Sequence, residues 1–159
     1  MEKEIKEAFV TAFNRLVTER EEIVTNARLV RQTLCDTTAL MEEKIKLQQE
    51  LAVLVEMTEK CIRENARIAQ SQEEYQRSYE GLVVRYDVAK ARFDEVLETI
   101  SAKEAQSERL EGFIKRLKTQ TDPVAEFNSQ LWASMVEYMT VGMDKGLTVV
   151  FRDGTAVRV

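Results

Sequence analysis

Few residues in this chain have the types and spacing that chemistry needs. Cys35 and Cys61 are its only cysteines, and it has no histidine at all. Neither cysteine belongs to a Cys-x-x-Cys pair, so a tetrahedral zinc site lacks its usual ligands. Serine and threonine hydroxyls lack an imidazole base to activate them. A Gly-rich phosphate loop, a Gly-x-Ser-x-Gly elbow and an Asp-rich calcium loop are all missing from the sequence. Carboxylates are abundant, but they alternate with Lys and Arg at helical spacing, as in Glu42/Lys46 and Glu111/Lys115, which is the pattern of a solvated helix face. The expectation is no catalytic residue, no cofactor and no metal, so that this chain alone is not an enzyme.

The remaining chemistry is that of contact. Ile62, Ile68, Tyr75 and Tyr79 crowd apolar surface around one short segment, more than two fraying helix ends can bury, and are the candidate partner-binding residues. Lys145, Arg152 and Arg158 lie near the C-terminus and are candidate phosphate contacts, although strand charges also protect sheet edges. Tyr86 reads as packing between helices, and Phe127 and Trp132 as core.

The elements that position these residues follow from periodicity. Over the segment after Ser71, Tyr79, Tyr86, Phe93, Ile100 and Ile114 recur at one heptad position. Tyr75, Leu82, Ala89, Val96, Leu110 and Leu117 fill the other. Before it, Leu40, Leu47, Leu54, Cys61 and Ile68 hold the strongest position, with Lys44, Thr58 and Asn65 interrupting the companion stripe. These interruptions weaken the seam and penalise slipped pairings. Ser71-Gln72-Glu73-Glu74 is a capping-box start for a new helix, so the chain is expected to reverse there. Pairing the two legs antiparallel sets Leu54 beside Ala89, Leu47 beside Val96 and Leu51 beside Phe93. At roughly 30 to 40 residues per leg, such an arm would project on the order of 50 Å.

The ends of the chain supply the base. Ile5, Phe9, Phe13, Leu16, Ile23 and Val30 predict an amphipathic helix running to about Leu34, with a bend at Asp36-Thr37-Thr38. Pro123 ends the long second leg. A short helix over about 126–138 and strands at 140–143, 147–152 and 155–159 complete the chain, the last two joined by Asp153-Gly154 as a two-residue type I′ turn. The expected fold is therefore mainly α: a long antiparallel coiled-coil hairpin projecting from a small α+β base of N-terminal helix, short C-terminal helix and β-hairpin or three-stranded meander. Its parts are a base helix at 1–35, the arm at 36–119 with its tip near 68–75, and the returning helix and meander at 120–159.

The bulk numbers agree. The 159 residues are 44% apolar and 32% charged with 5 Gly and 1 Pro, a helix-forming mixture. A formal net charge of −5 argues against autonomous high-affinity DNA binding. No stretch approaches the roughly 20 apolar residues that span a bilayer, and no signal peptide opens the chain, so a cytoplasmic protein without membrane contact is expected.

The phrase Ala8-Phe9-Val10-Thr11-Ala12-Phe13-Asn14-Arg15-Leu16-Val17, the phrase Glu64-Asn65-Ala66-Arg67 followed by Glu74-Tyr75, and the ending from Leu131-Trp132 through Phe151-Arg152-Asp153-Gly154-Thr155 together resemble the C-terminal coiled-coil region of large serine recombinases, the phage integrases and conjugative-transposon resolvases. That resemblance implies a non-catalytic interaction module of a site-specific recombinase. Arms of different subunits would touch at their tips during DNA synapsis and set its direction. DNA would be held mainly by catalytic and zinc-ribbon domains that would lie upstream of Met1, and a weak homo-oligomer is expected. The alternative is a freestanding coiled-coil adaptor or regulator unrelated to recombination.

Overall fold

The computed structural model describes residues 1–69 and 71–159. Among them are five helices, α1 (Glu2–Thr18), α2 (Arg20–Leu34), α3 (Thr38–Arg67), α4 (Gln72–Thr119) and α5 (Ser129–Met135). Three strands follow, β1 (Val136–Val141), β2 (Leu147–Phe151) and β3 (Ala156–Arg158). The chain is mainly helical with one small antiparallel sheet of order β1-β2-β3. It divides into two compact units, one built from Met1–Asp36 and Glu104–Val159, the other from Thr37–Lys103.

The first unit is held by an apolar core. α1 buries Phe9, Phe13, Leu16 and Val17, the stripe expected of an amphipathic helix, and α2 adds Ile23, Val24 and Ala27. Facing them in one cluster are Phe113, Ile114 and Leu117 of α4, Leu131 and Met135 of α5, and Val136, Val149 and Phe151 of the sheet. Phe9 stacks on Phe13 at 5.7 Å and meets the edges of Phe127 and Trp132 at 5.6 and 5.2 Å. Phe127 and Trp132 thus belong to this core, as their sequence positions indicate.

A side-chain amide organises the loop between α4 and α5. Asn14 Nδ2 donates to the Val124 carbonyl at 3.0 Å, and the Val124 amide donates to Asn14 Oδ1 at 2.8 Å. Arg20 donates to the Gln120 carbonyl and Arg15 to the Arg158 carbonyl, each at 3.0 Å. These bonds satisfy backbone groups that have no ladder partner.

Several local expectations are corrected. The single N-terminal helix is interrupted at Glu19 (φ −97°, ψ 19°). The hydrogen-bond ladder nonetheless passes through, because the Glu19 amide donates to Arg15 and its carbonyl accepts from Ile23, both at 3.1 Å. The helix expected over 126–138 is confined to Ser129–Met135, because Asn128 caps it: its Oδ1 accepts from the Leu131 amide at 2.9 Å. β1 then begins at Val136 rather than near Thr140, since Val136, Tyr138, Thr140 and Val141 favour extended backbone, with a bulge between Val136 and Tyr138. The bend before α3 is present, but Thr37 at the cap position makes no side-chain cap bond.

The Asp153-Gly154 turn is not type I′. Gly154 has φ 92°, while Asp153 is not among the residues of positive φ. The Gly154 amide donates to the Phe151 carbonyl and the Phe151 amide to the Thr155 carbonyl, both at 2.9 Å. That is a three-residue loop: a type I turn closed by one left-handed residue. Asp153 tightens it by accepting from the Thr155 amide at 3.1 Å and from the Thr155 hydroxyl. The β1–β2 connection repeats the pattern, with Lys145 (φ 65°) in the left-handed place.

The second unit has its own core of Leu47 and Leu54 from α3 with Leu82, Ala89, Val96 and Ile100 from α4, flanked by Leu40, Met41, Leu51, Cys61, Tyr86 and Phe93. Both members of every pair expected from the heptads lie in this cluster. Ile68 does not join it; it ends α3 in an extended conformation and is 61% exposed. Leu110, Ile114 and Leu117, read as a continuation of the same seam, are buried in the first unit instead. α4 from Glu104 onward belongs to the first unit, where Phe113, Ile114 and Leu117 find their apolar partners in α1, α2, α5 and the sheet.

Candidate functional site

The residues singled out for partner binding stand at the end of α3 and the start of α4, within the second unit. α4 opens where Ser71 accepts from the Glu74 amide at 3.5 Å, half of the expected capping box, and where Gln72 donates to Asn65 at 3.3 Å. Gln70, inside the expected tip at 68–75, lies outside the described residues.

Tyr75 and Tyr79 lie one helical turn apart, their rings stacked with centroids 6.1 Å apart. Tyr75 is half-buried and lines a groove of about 580 Å³. Met57, Cys61 and Leu82 form its apolar floor, and Lys60, Glu64, Arg77 and Arg85 its charged rim. Ile62 (47% exposed) and Ile68 do not line it. Of the four residues only Tyr75 lines the groove; Tyr79 stacks on it from outside, and the two isoleucines lie apart from it. Met57 and Arg85 were not evident as site residues from the sequence. They flank the seam, and the heptad signal reports only the seam itself.

Charges in this unit behave as solvated faces. Lys60–Glu64 at 3.7 Å, Arg77–Glu73 at 2.8 Å and Lys90–Asp94 at 2.5 Å are one-turn pairs. Arg92 differs. It grips Glu43 of α3 with two bonds of 2.6 and 2.9 Å and also reaches Glu95 at 2.9 Å. The Arg92 bond holds the Glu43 carboxyl below its ordinary range, and the Glu43 bond in turn raises the guanidinium pKa.

The candidate phosphate contacts do not form one patch. Arg158 pairs with the Asp144 carboxylate, and Lys145 occupies the adjoining turn. Asp144 is held below its ordinary pKa first by the Gly146 amide, which it accepts at 3.2 Å, and then by the charge of Arg158. Arg152 lies at the opposite end of β2, donating to the Ala133 carbonyl at 2.7 Å. Glu111 pairs with Arg31 at 2.9 Å rather than with Lys115.

Cys35 and Cys61 are free thiols, both half-buried. Among the described residues no group of His, Cys, Asp or Glu is arranged to hold a metal ion, and no helix is long and apolar enough to cross a membrane. No family model matches the chain, and no curated protein or solved structure matches it.

Proposed function

We propose that the chain is a protein-interaction module. In this reading α3 and the first part of α4 form an antiparallel coiled-coil hairpin whose free end docks on another subunit, as the resemblance to the coiled-coil region of large serine recombinases implies. The observation that carries it is the tyrosine pair where α3 ends and α4 begins: two stacked aromatic rings, of which Tyr75 lines a groove, with Ile62 and Ile68 exposed. Aromatic side chains that keep one face in water are the residues that dominate contact energies. Two further observations favour the antiparallel pairing. Glu43, near the start of α3, grips Arg92, while Asn65, near its end, bonds Gln72 at the start of α4. The recombinase role is DNA synapsis and its directionality, with catalysis and most DNA contact supplied by other domains.

The test is self-association. Sedimentation equilibrium of the parent chain should show a weak, concentration-dependent dimer that Tyr75→Ala/Tyr79→Ala removes without changing the helical circular dichroism. Affinity between isolated modules is expected to be low, because arms joined through DNA act at high effective concentration. The same pair of proteins should therefore also be compared after fusion to a dimeric carrier, where tip contact appears as closed dimers. The reading is defeated if parent and variant are both monomeric as isolated chains and sediment identically when fused to the carrier.

A further inference from the structure

In the first unit a cleft of about 770 Å³ opens between α4, α5 and the β2–β3 turn. It is lined by Ala105, Glu108, Arg109, Gly112, Arg116, Ser134 and Arg152. Three of the seven are arginines, in a chain whose net charge is −5. Glu108 is the one acid among the lining residues. Seven residues separate Arg109 from Arg116, so they share one face of α4, about 10 Å apart along its axis. Arg152 faces them from the turn.

Among the described residues none of the three guanidinium groups forms a salt bridge, although Glu137 and Asp153 line an adjoining cleft with Arg109 and Arg152. Among the described residues neither Arg109 nor Arg116 has a salt bridge or side-chain hydrogen bond, although α4 and its neighbours offer many carboxylates. Arg152 is half-buried and fixed in place, its Nη2 on the Ala133 carbonyl and its backbone amide on the Met135 carbonyl at 3.0 Å. Its Nε is buried with no hydrogen-bond partner. A desolvated cation without a counter-charge or a full donor set is unfavourable until an anion supplies both.

Gly112 is the second, independent sign. A glycine inside a helix is disfavoured relative to alanine, and close packing is the ordinary reason to keep one. Here a Cβ would meet nothing within 4 Å. Since Gly112 lines the cleft, a larger side chain there would project into the space between Arg109 and Arg116.

The geometry points to a binding site for a phosphate-bearing anion in this cleft, with Arg109 and Arg116 as the mobile clamps and Arg152 as the preset donor. Guanidinium forks match phosphate oxygens two at a time, and two long arginine side chains rooted on one face of α4 can converge on neighbouring phosphoryl groups. Such groups occur in a free diphosphate and along a nucleic-acid strand. This inference is independent of the interaction reading above, whose residues all lie in the other unit.

Two probes separate the sources: pyrophosphate, followed by titration calorimetry at low ionic strength, and a labelled short duplex oligonucleotide, followed by anisotropy. Binding of pyrophosphate alone assigns a small anion, and duplex binding competed by pyrophosphate assigns a strand backbone. Arg109→Gln/Arg116→Gln should weaken whichever is bound by at least about tenfold. On the duplex it should also flatten the slope of log affinity against log salt by about two. Gly112→Leu leaves every charge in place and improves helix propensity, so it should weaken binding similarly by filling the cleft. Arg28→Gln/Lys46→Gln removes the same charge from exposed positions elsewhere and should retain binding. Trp132 fluorescence and circular dichroism verify that each variant is folded. The inference is overturned if neither probe binds, if Gly112→Leu binds like the parent, or if the control pair loses as much as the cleft pair.

Discussion

Replacing Asn14 by alanine tests whether one side-chain amide anchors the α4–α5 loop. Asn14 acts as a strand neighbour would, accepting from the Val124 amide and donating to its carbonyl at 2.8 and 3.0 Å. Each bond contributes about 1 kcal/mol net, and a part-buried backbone group left without a partner costs a comparable amount more. Water reaches the half-buried Val124 and recovers some of that, so Asn14→Ala should destabilise the unit by about 2 kcal/mol. The chain's single tryptophan, Trp132, packs on Phe9 and Phe127, making its fluorescence a local report on this unit. With a urea slope of about 2 kcal/mol per molar, the midpoint should fall by roughly 1 M. Thr11→Ala is the control: that exposed hydroxyl bonds only to the Glu7 carbonyl one turn back, and its loss should stay within about 0.5 kcal/mol. If Asn14→Ala moves the midpoint no further than Thr11→Ala does, the amide is not the anchor and the apolar contacts alone hold the loop.

Two more outcomes follow from the turns. Lys145 and Gly154 occupy equivalent left-handed places at φ 65° and 92°, so Lys145→Gly should raise stability by about 0.5 kcal/mol, the relief of about 1–2 kcal/mol being partly offset by unfolded-chain entropy. Gly154→Ala should lower it by about 1 kcal/mol; equal signs in urea unfolding would show that the two loops are not alike. The Asp144 carboxyl titrates below its ordinary value when folded, so its contribution to stability is complete above the ordinary carboxylate range and is lost as pH falls through the lower folded value. Since the Gly146 amide is the larger cause, a carboxyl NMR titration of Arg158→Gln should still find Asp144 depressed, and a return to the ordinary value would place the effect on Arg158 instead.

The heptad stripes located α3 and α4 because a seam repeats the same short rule many times, and each repetition is independent evidence. The sequence placed Leu47, Leu54, Ala89 and Val96 together, and one cluster contains them. It misassigned Leu110, Ile114 and Leu117 because an apolar stripe shows that a face is buried without naming what covers it. Phe113, fully buried between Gly112 and Ile114, widens that face where three helices and a sheet share one cluster with α4. The break at Glu19 carries no proline or glycine and had no local signal. Asp153-Gly154 was read from the pair alone, whereas the loop length depends on which flanking residues pair. The tyrosines were legible as aromatic surface near the expected start of a new helix. The arginine cleft was not, because Arg109, Arg116 and Arg152 are brought together only by packing α4 against the C-terminal segment.

The unit that holds Phe9 and Trp132 is composed of the two ends of the chain, 1–36 and 104–159. The two stretches are made at different times, so the contacts of Phe9 and Phe13 with the cluster of Phe113, Met135 and Phe151 are completed only after the later stretch has been synthesised. Closing so long a loop is slow, and the interval is when a greasy helix meets chaperones or other nascent chains. Prior collapse of the intervening 37–103 segment would shorten the search, making the central portion of the polypeptide a timer for completion of its termini.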